Sequence, residues 1–180
     1  QAMEEAAVLA EDVSFMNTHG TATVYNDEME SKAIHLAGLE TVPVHSLKSY
    51  FGHTLGASGV IESIICIHEL KENVLFGTLG YEKPGVSMPI LVQADHQEIP
   101  MKHCIKTASG FGGCNAAIVL TLPAYQKQPS SVQSPVTVHT TATVSIENSC
   151  LSMNGETVFS SSASNFAQFI REAYKNTGGS

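Results

Sequence analysis

The sequence predicts a layered α/β fold on three observations. Between Asp12 and Leu122, short apolar β-prone runs alternate with helical patterns in the order β-α-β-α-β-β-β, which favours a sheet with helices covering its faces. One helical stretch, from about Ala57 to Glu72, is apolar nearly all round, the signature of a central, buried helix. Of 180 residues, 43% are hydrophobic and only 14% are charged, a core-rich balance well away from disorder.

Gln1–Leu9 reads as the end of a helix, with Met3, Ala6, Ala7 and Leu9 as a partial apolar face. No cap precedes it, so the expectation is a domain truncated at its N-terminus. Val13–Asn17 is a short buried strand. A helix follows from about Asp27 to Ala37, capped by Asn26 or Asp27 and stopped by Gly38. Its expected inner stripe is Met29, Ala33 and Ala37, and Glu28 and Lys32 form an outward i, i+4 pair. Val44–Leu47 is the second strand, Lys48–Gly59 a loop, and Ala57–Glu72 the apolar helix. Its stripe is Val60, Ile61, Ile64, Ile65, Ile67 and Leu70. Ile90–Ala94 and His103–Ser109 read as strands, and the Gly110–Gly113 turn returns the chain into Cys114–Leu122 as a hairpin. That makes five strands.

Composition shifts after residue 123. Residues 124–135 are rich in Pro, Gln and Ser and read as a linker. Residues 136–180 form a tail with its own pattern: a Thr/Val strand or edge hairpin at Val136–Val144, then a short amphipathic helix through Phe166, Phe169, Ile170 and Tyr174.

Seventeen acids against nine bases give a formal charge of −8, which argues against nonspecific nucleic-acid binding. The longest apolar stretch, Val60–Ile67, carries Glu62 and is too short to span a bilayer. Cys66, Cys104, Cys114 and Cys150 form no CxxC pair, so reduced, buried thiols and a cytoplasmic setting are expected. The histidines show no HxH or HExxH spacing, and no metal site is expected.

Two histidines stand out. His19 and His53 each follow an apolar, β-prone run and precede small residues, where a strand ends and a polar side chain can point into a site. Glu62 interrupts an apolar helix face, and a carboxylate there needs a partner. A helix start just after His53 disfavours its imidazolium, so His53 is expected to be neutral.

The segments His19-Gly20-Thr21-Ala22-Thr23, Lys48-Ser49 with Gly52-His53-Thr54-Leu55-Gly56-Ala57-Ser58-Gly59, and Gly110-Phe111-Gly112-Gly113-Cys114-Asn115-Ala116-Ala117 occur in this order. Together they resemble the C-terminal half of β-ketoacyl synthases of the thiolase superfamily. The resemblance covers about Phe15–Leu122 and implies half of a thiolase-like α-β-α fold, with a mixed five-stranded sheet and a buried central helix over residues 1–123. It implies decarboxylative condensation of a malonyl unit on acyl carrier protein with an acyl thioester held on a cysteine.

In that resemblance His19 and His53 donate to the malonyl thioester oxygen and Lys48 is the active-site lysine; Glu62 is its expected partner, the pair orienting His53. Thr21 and Thr23 match threonines that bind the phosphopantetheine arm, and Ser109, Gly110 and Phe111 lie at the acyl pocket and oxyanion edge. The chain departs from many relatives at Ser109, where a gating phenylalanine is common, and at Asn26, where glycine is common. No cofactor is implied beyond the carrier's phosphopantetheine. The implied partners are acyl carrier protein, the N-terminal ketosynthase half and a homodimeric or heterodimeric partner. No cysteine here has the small-residue, helix-start setting of the family's nucleophile. A basic surface for an acidic carrier reduces to Lys102, His103 and Lys106. A non-condensing, chain-length-factor-like partner and a decarboxylase-only synthase stay open beside the condensing reading.

Overall fold

Five residues, Ala2–Ala6, form α1, which ends at Ala7 in the left-handed region (φ 52°) rather than running on to Leu9. The apolar run Val13–Asn17 then forms β1, buried along its length except at the half-buried Ser14. The computed structural model describes residues 1–125 and, beyond them, the backbone of three short strands.

The next helix, α2, spans Val24–Leu36 and so begins ahead of the expected Asp27, with Thr23 as its N-cap. Its buried residues are Glu30, Ser31 and Ile34, while Met29, Ala33 and Ala37 are exposed. The expected stripe is therefore on the wrong face. The cause is Glu30, which turns inward to accept hydrogen bonds from the loop after β1. The outward pair Glu28–Lys32 forms at 2.9 Å.

Strand β2 is only Val44–His45 and runs parallel to β1, with Met16 opposite Val44 and Asn17 opposite His45. The expected loop opens with a one-turn helix, α3 (Lys48–Phe51), pinned by the Tyr50 hydroxyl donating to the Gly77 carbonyl at 2.7 Å. Helix α4 (Ser58–Glu72) ends at Asn73 in the left-handed region. One face of α4 is buried; Val60 (52% exposed) and Ile67 (37%) are not. The all-round burial expected of this helix is not reached within the described residues.

Two short strands, β3 (Val74–Leu75) and β4 (Gln97–Glu98), pair antiparallel and were not anticipated. Ile90–Ala94 is not a strand. Only Val92 bridges to Val44, because the two-residue β2 offers too little edge to extend a ladder. The sheet thus has four strands where five were expected.

Strand β5 (His103–Gly110) lies parallel to β1, and β6 (Cys114–Thr121) returns antiparallel to it, giving the order β2-β1-β5-β6. The hairpin turn uses left-handed Gly112 and Gly113 (φ 84° and 82°), a region glycine enters without steric cost.

Alternation across the sheet makes the layers. Met16 and Ile105 join Ile34 of α2 in one apolar cluster, and their chain neighbours Phe15 and Cys104 join Cys66 and Leu70 of α4 in another. This mixed sheet between helices is the expected α-β-α arrangement. None of the described helices is long and apolar enough to cross a membrane.

The contacts divide the chain into Gln1–Gln126 and Lys127–Ser180. In the second unit β7 (Val144–Glu147), β8 (Cys150–Met153) and β9 (Glu156–Ser160) form an antiparallel sheet in that order. The expected helix around Phe166–Tyr174, most of the Val136–Val144 strand and most of the 124–135 linker lie outside the described residues.

Candidate active site

Where β1 ends, the chain must turn sharply and leave buried N–H groups to satisfy. Glu30 does this from α2. Its carboxylate accepts from the backbone N–H of His19 (2.8 Å) and Gly20 (2.7 Å), from Asn26 Nδ2 (2.9 Å) and from the Thr107 hydroxyl on β5 (2.8 Å). Gly20 has φ +44°, and a Cβ there would lie 2.6 Å from Ser46 Cβ. The Ser46 hydroxyl instead donates to the Gly20 carbonyl at 2.8 Å. These contacts fix His19, which is 7% exposed.

His53 sits between α3 and a single 3-10 turn, Leu55–Ala57. Its ring meets that of His19 edge to face, with centroids 5.1 Å apart and an interplanar angle of 81°. The Leu55 N–H donates to His53 Nδ1 at 3.1 Å. Nδ1 is therefore the acceptor, and in the neutral ring the proton is on Nε2. The long helix whose dipole was expected to bear on His53 begins only at Ser58, beyond the 3-10 turn.

Behind the imidazoles lies a buried charge cluster. Lys48 Nζ is 2.7 Å from Glu62 Oε1, and Lys106 Nζ is 2.6 Å from Glu62 Oε2. The Ser58 hydroxyl also donates to Glu62 Oε1, at 3.1 Å. The Lys48–Glu62 partnership is as expected, but among the described residues neither hydrogen-bonds His53. Their charges act on His19. Burial pushes its pKa down, and Lys48 and then Lys106 push the same way, against Glu30 and Glu62. Burial also lowers Lys48, with Glu62 resisting.

Residues 1–82 match the family described as "Beta-ketoacyl synthase, C-terminal domain". They belong to that family. A polyketide β-ketoacyl synthase of Streptomyces cyaneus is 34% identical over 131 residues, covering 71% of this chain and 31% of the relative. A polyketide biosynthesis malonyl-ACP decarboxylase of Bacillus subtilis is 30% identical over 67% of this chain and 29% of its own. A 3-oxoacyl-[acyl-carrier-protein] synthase of Vibrio harveyi is 34% identical over 66% and 30%. Thus the chain spans about three tenths of the length of the curated relatives it matches.

Solved structures agree. A β-ketoacyl synthase of Burkholderia phymatum superposes with a TM-score of 0.62 at 31% identity, over 66% of this chain and 30% of that one. A type II polyketide ketosynthase solved with its acyl-carrier protein gives 0.60 at 29%, over 66% and 30%. A ketosynthase of Xenorhabdus doucetiae in complex with its chain length factor gives 0.61 at 28%, over 67% and 31%.

Within this ketosynthase domain the remaining candidates separate. The Thr21 and Thr23 hydroxyls hydrogen-bond each other at 2.8 Å on the surface. Thr23 lines a groove of about 490 Å³ with Thr18, Ser46 and Thr78. Ser109 lines a second groove of about 370 Å³, beside Met16, Met29 and Ile105. Gly110 and Phe111 stand exposed at the hairpin turn. Neither groove is lined by His19 or His53.

Several expectations need correction. Cys66 and Cys104 are buried, but Cys114 is exposed. Lys106 and His103 are buried, at 2% and 7% exposure, so of the three expected surface bases only Lys102 is available to a partner. Glu30 and Lys106 were not read as site residues. A polar residue inside an apolar pattern was the available signal, the one that did single out Glu62.

One buried group has metal-ligand chemistry: donor atoms of His45, Cys66 and Glu69 lie within 4.8 Å of one another. Burial shapes the ionisation of the group. Burial lowers His45 to about 3 and raises Glu69 well above the usual carboxylate range. Glu69 Oε2 lies 3.4 Å from His45 Nε2.

Proposed function

We propose that this chain supplies the malonyl-decarboxylating, enolate-stabilising half of a β-ketoacyl synthase in fatty-acid or polyketide synthesis. The supporting observation is the His19–His53 pair, 5.1 Å apart, with His53 fixed as an Nε2 donor. In this reading the carbon–carbon bond of the malonyl thioester breaks, carbon dioxide leaves, and the electron pair becomes an enolate. Negative charge grows on the thioester oxygen, and preorganised N–H donors act where charge develops. The enolate carbon then attacks an acyl thioester on a cysteine contributed from outside this chain, and the cysteine thiolate departs. Cys66 and Cys104 are buried and Cys114 stands exposed at the hairpin turn, and this reading takes none of them as the nucleophile.

Thr21 and Thr23 would meet the phosphopantetheine arm, and Ser109, Gly110 and Phe111 the acyl pocket. Acyl carrier protein, a ketosynthase N-terminal half and a second ketosynthase-like subunit are the proposed partners, in the cytoplasm. A non-condensing structural subunit is the second reading, but it gives no reason for two imidazoles over a buried Lys–Glu–Lys cluster. A decarboxylase-only synthase differs solely in the nucleophile. The test incubates the full-length protein with malonyl-loaded acyl carrier protein and follows carbon dioxide and acyl-enzyme mass. Both signals mark a condensing enzyme and carbon dioxide alone marks a decarboxylase. Absence of both signals overturns the proposal.

A further inference from the structure

Lys106 is a lysine in the middle of a buried strand, and its environment is built for charge. On β5 it pairs with Asn17, the last residue of β1. Alternation sends β5 side chains to opposite faces. Thr107 reaches Glu30 of α2 at 2.8 Å, and Lys106 reaches Glu62 of α4 at 2.6 Å. The Lys106 ammonium also donates to the Thr107 carbonyl. The strand thus meets a carboxylate on each face of the sheet, and Glu30 carries one of these contacts on to the His19 loop.

A single lysine already satisfies Glu62 by charge. Lys48 holds Oε1 at 2.7 Å, with the Ser58 hydroxyl beside it. Burying a second ammonium costs desolvation that an apolar residue of similar size would avoid. Fold stability alone does not call for it. With two lysines on one carboxylate, the cluster carries one net positive charge instead of none.

We propose that Lys106 is a positioning residue for the histidine pair: a second buried ammonium that forms an ion pair with the other oxygen of Glu62 and leaves one fixed positive charge behind His19. The proposal rests on the decarboxylating reading. That charge favours the anion growing on the substrate oxygen and disfavours a proton on His19. The groups facing His19 are Lys48 from α3, Lys106 from β5, Glu62 from α4 and Glu30 from α2, with the His53 ring edge to face. The first two oppose imidazolium and the two carboxylates favour it.

The test compares Lys106→Met, Lys106→Arg and the double variant Lys106→Met/Glu62→Gln in the full-length protein. Carbon dioxide release from malonyl-loaded carrier protein is measured against pH, and His19 is titrated by NMR. Lys106→Met makes the cluster neutral. Its acid limb moves up by about one pH unit, kcat falls roughly tenfold, and KM stays unchanged. Lys106→Arg keeps the wild-type limb. The double variant restores one net positive charge, so its limb and its His19 titration return toward wild type. A merely structural lysine would give a double variant no better than the single one. That result, or an unshifted limb and His19 titration in folded Lys106→Met, overturns the proposal. If the wild-type protein releases no carbon dioxide, the decarboxylating reading fails, while the His19 titration still decides what Lys106 does to His19.

Discussion

The backbone N–H of Leu55 donates to Nδ1 of His53 at 3.1 Å. One backbone bond therefore selects the tautomer and leaves the proton of the neutral ring on Nε2. His53→Ala removes the donor, and carbon dioxide release should fall roughly 100–1,000-fold, as at other oxyanion sites. His53→Gln places an amide N–H near the Nε2 position and should recover part of that loss. His53→Gln no better than His53→Ala would show that donation from Nε2 is not what His53 contributes. Nitrogen-15 NMR of the wild-type ring checks the tautomer directly.

Glu30 gathers four donors from three parts of the chain. Glu30→Ala strands two backbone N–H groups and a hydroxyl in a mostly buried place, at a cost of roughly 3 kcal/mol. Glu30→Gln keeps one carbonyl acceptor and should lose less. Urea denaturation ranks the variants. Equal losses would mean that the acceptor bonds are not the source of the stability.

Gly20 turns at φ +44° with Ser46 where its Cβ would be. Gly20→Ala pays for left-handed backbone and for moving Ser46, together about 1–3 kcal/mol. Because the Ser46 hydroxyl donates to the Gly20 carbonyl, the displacement passes to the segment leading into Lys48. Thermal denaturation together with carbon dioxide release checks it. A Gly20→Ala protein with native stability and activity would show that the loop gives way freely.

Much of this was legible in the sequence because apolar period reports burial. β1, α4 and the β5–β6 hairpin stand within a residue or so of where their patterns put them. Periodicity failed where buried polar groups take over. In α2 the inner positions include Glu30 and Ser31, which an apolar stripe search passes over in favour of exposed Met29, Ala33 and Ala37. Lys106 was hidden for the same reason, since a lysine in a strand is normally taken as solvated. Glu62 was found because it interrupts the apolar run Val60–Ile67, and that asked for a partner. The second ammonium could not be inferred, because its pairing depends on how α4 packs on β5, which brings Glu62 to Lys106. Ile90–Ala94 read as a strand on composition, but strand formation also needs a partner edge, and β2 is two residues long.

His45 and Glu69, both fully buried, give the stability a pH signature. His45 titrates near 3 in the folded protein against an ordinary 6.5. Below 6.5 the unfolded chain takes up a proton that the folded chain refuses, so stability falls as pH drops from 6.5 toward 3. Glu69 works oppositely. Its folded pKa is raised well above 4.5, so above 4.5 the unfolded chain gains by ionising and stability falls as pH rises. Between 4.5 and 6.5 the two slopes oppose each other, and this pair leaves a plateau there. Above the plateau Glu69 acts alone, and below it His45 acts alone. Glu69→Gln retains a hydrogen-bonding side chain but cannot ionise. It should abolish the alkaline decline that the pair contributes and leave the acid decline in place. Free energies of unfolding in urea, measured against pH for both proteins, test this. An unchanged alkaline arm in Glu69→Gln would mean that Glu69 is already ionised in the folded chain.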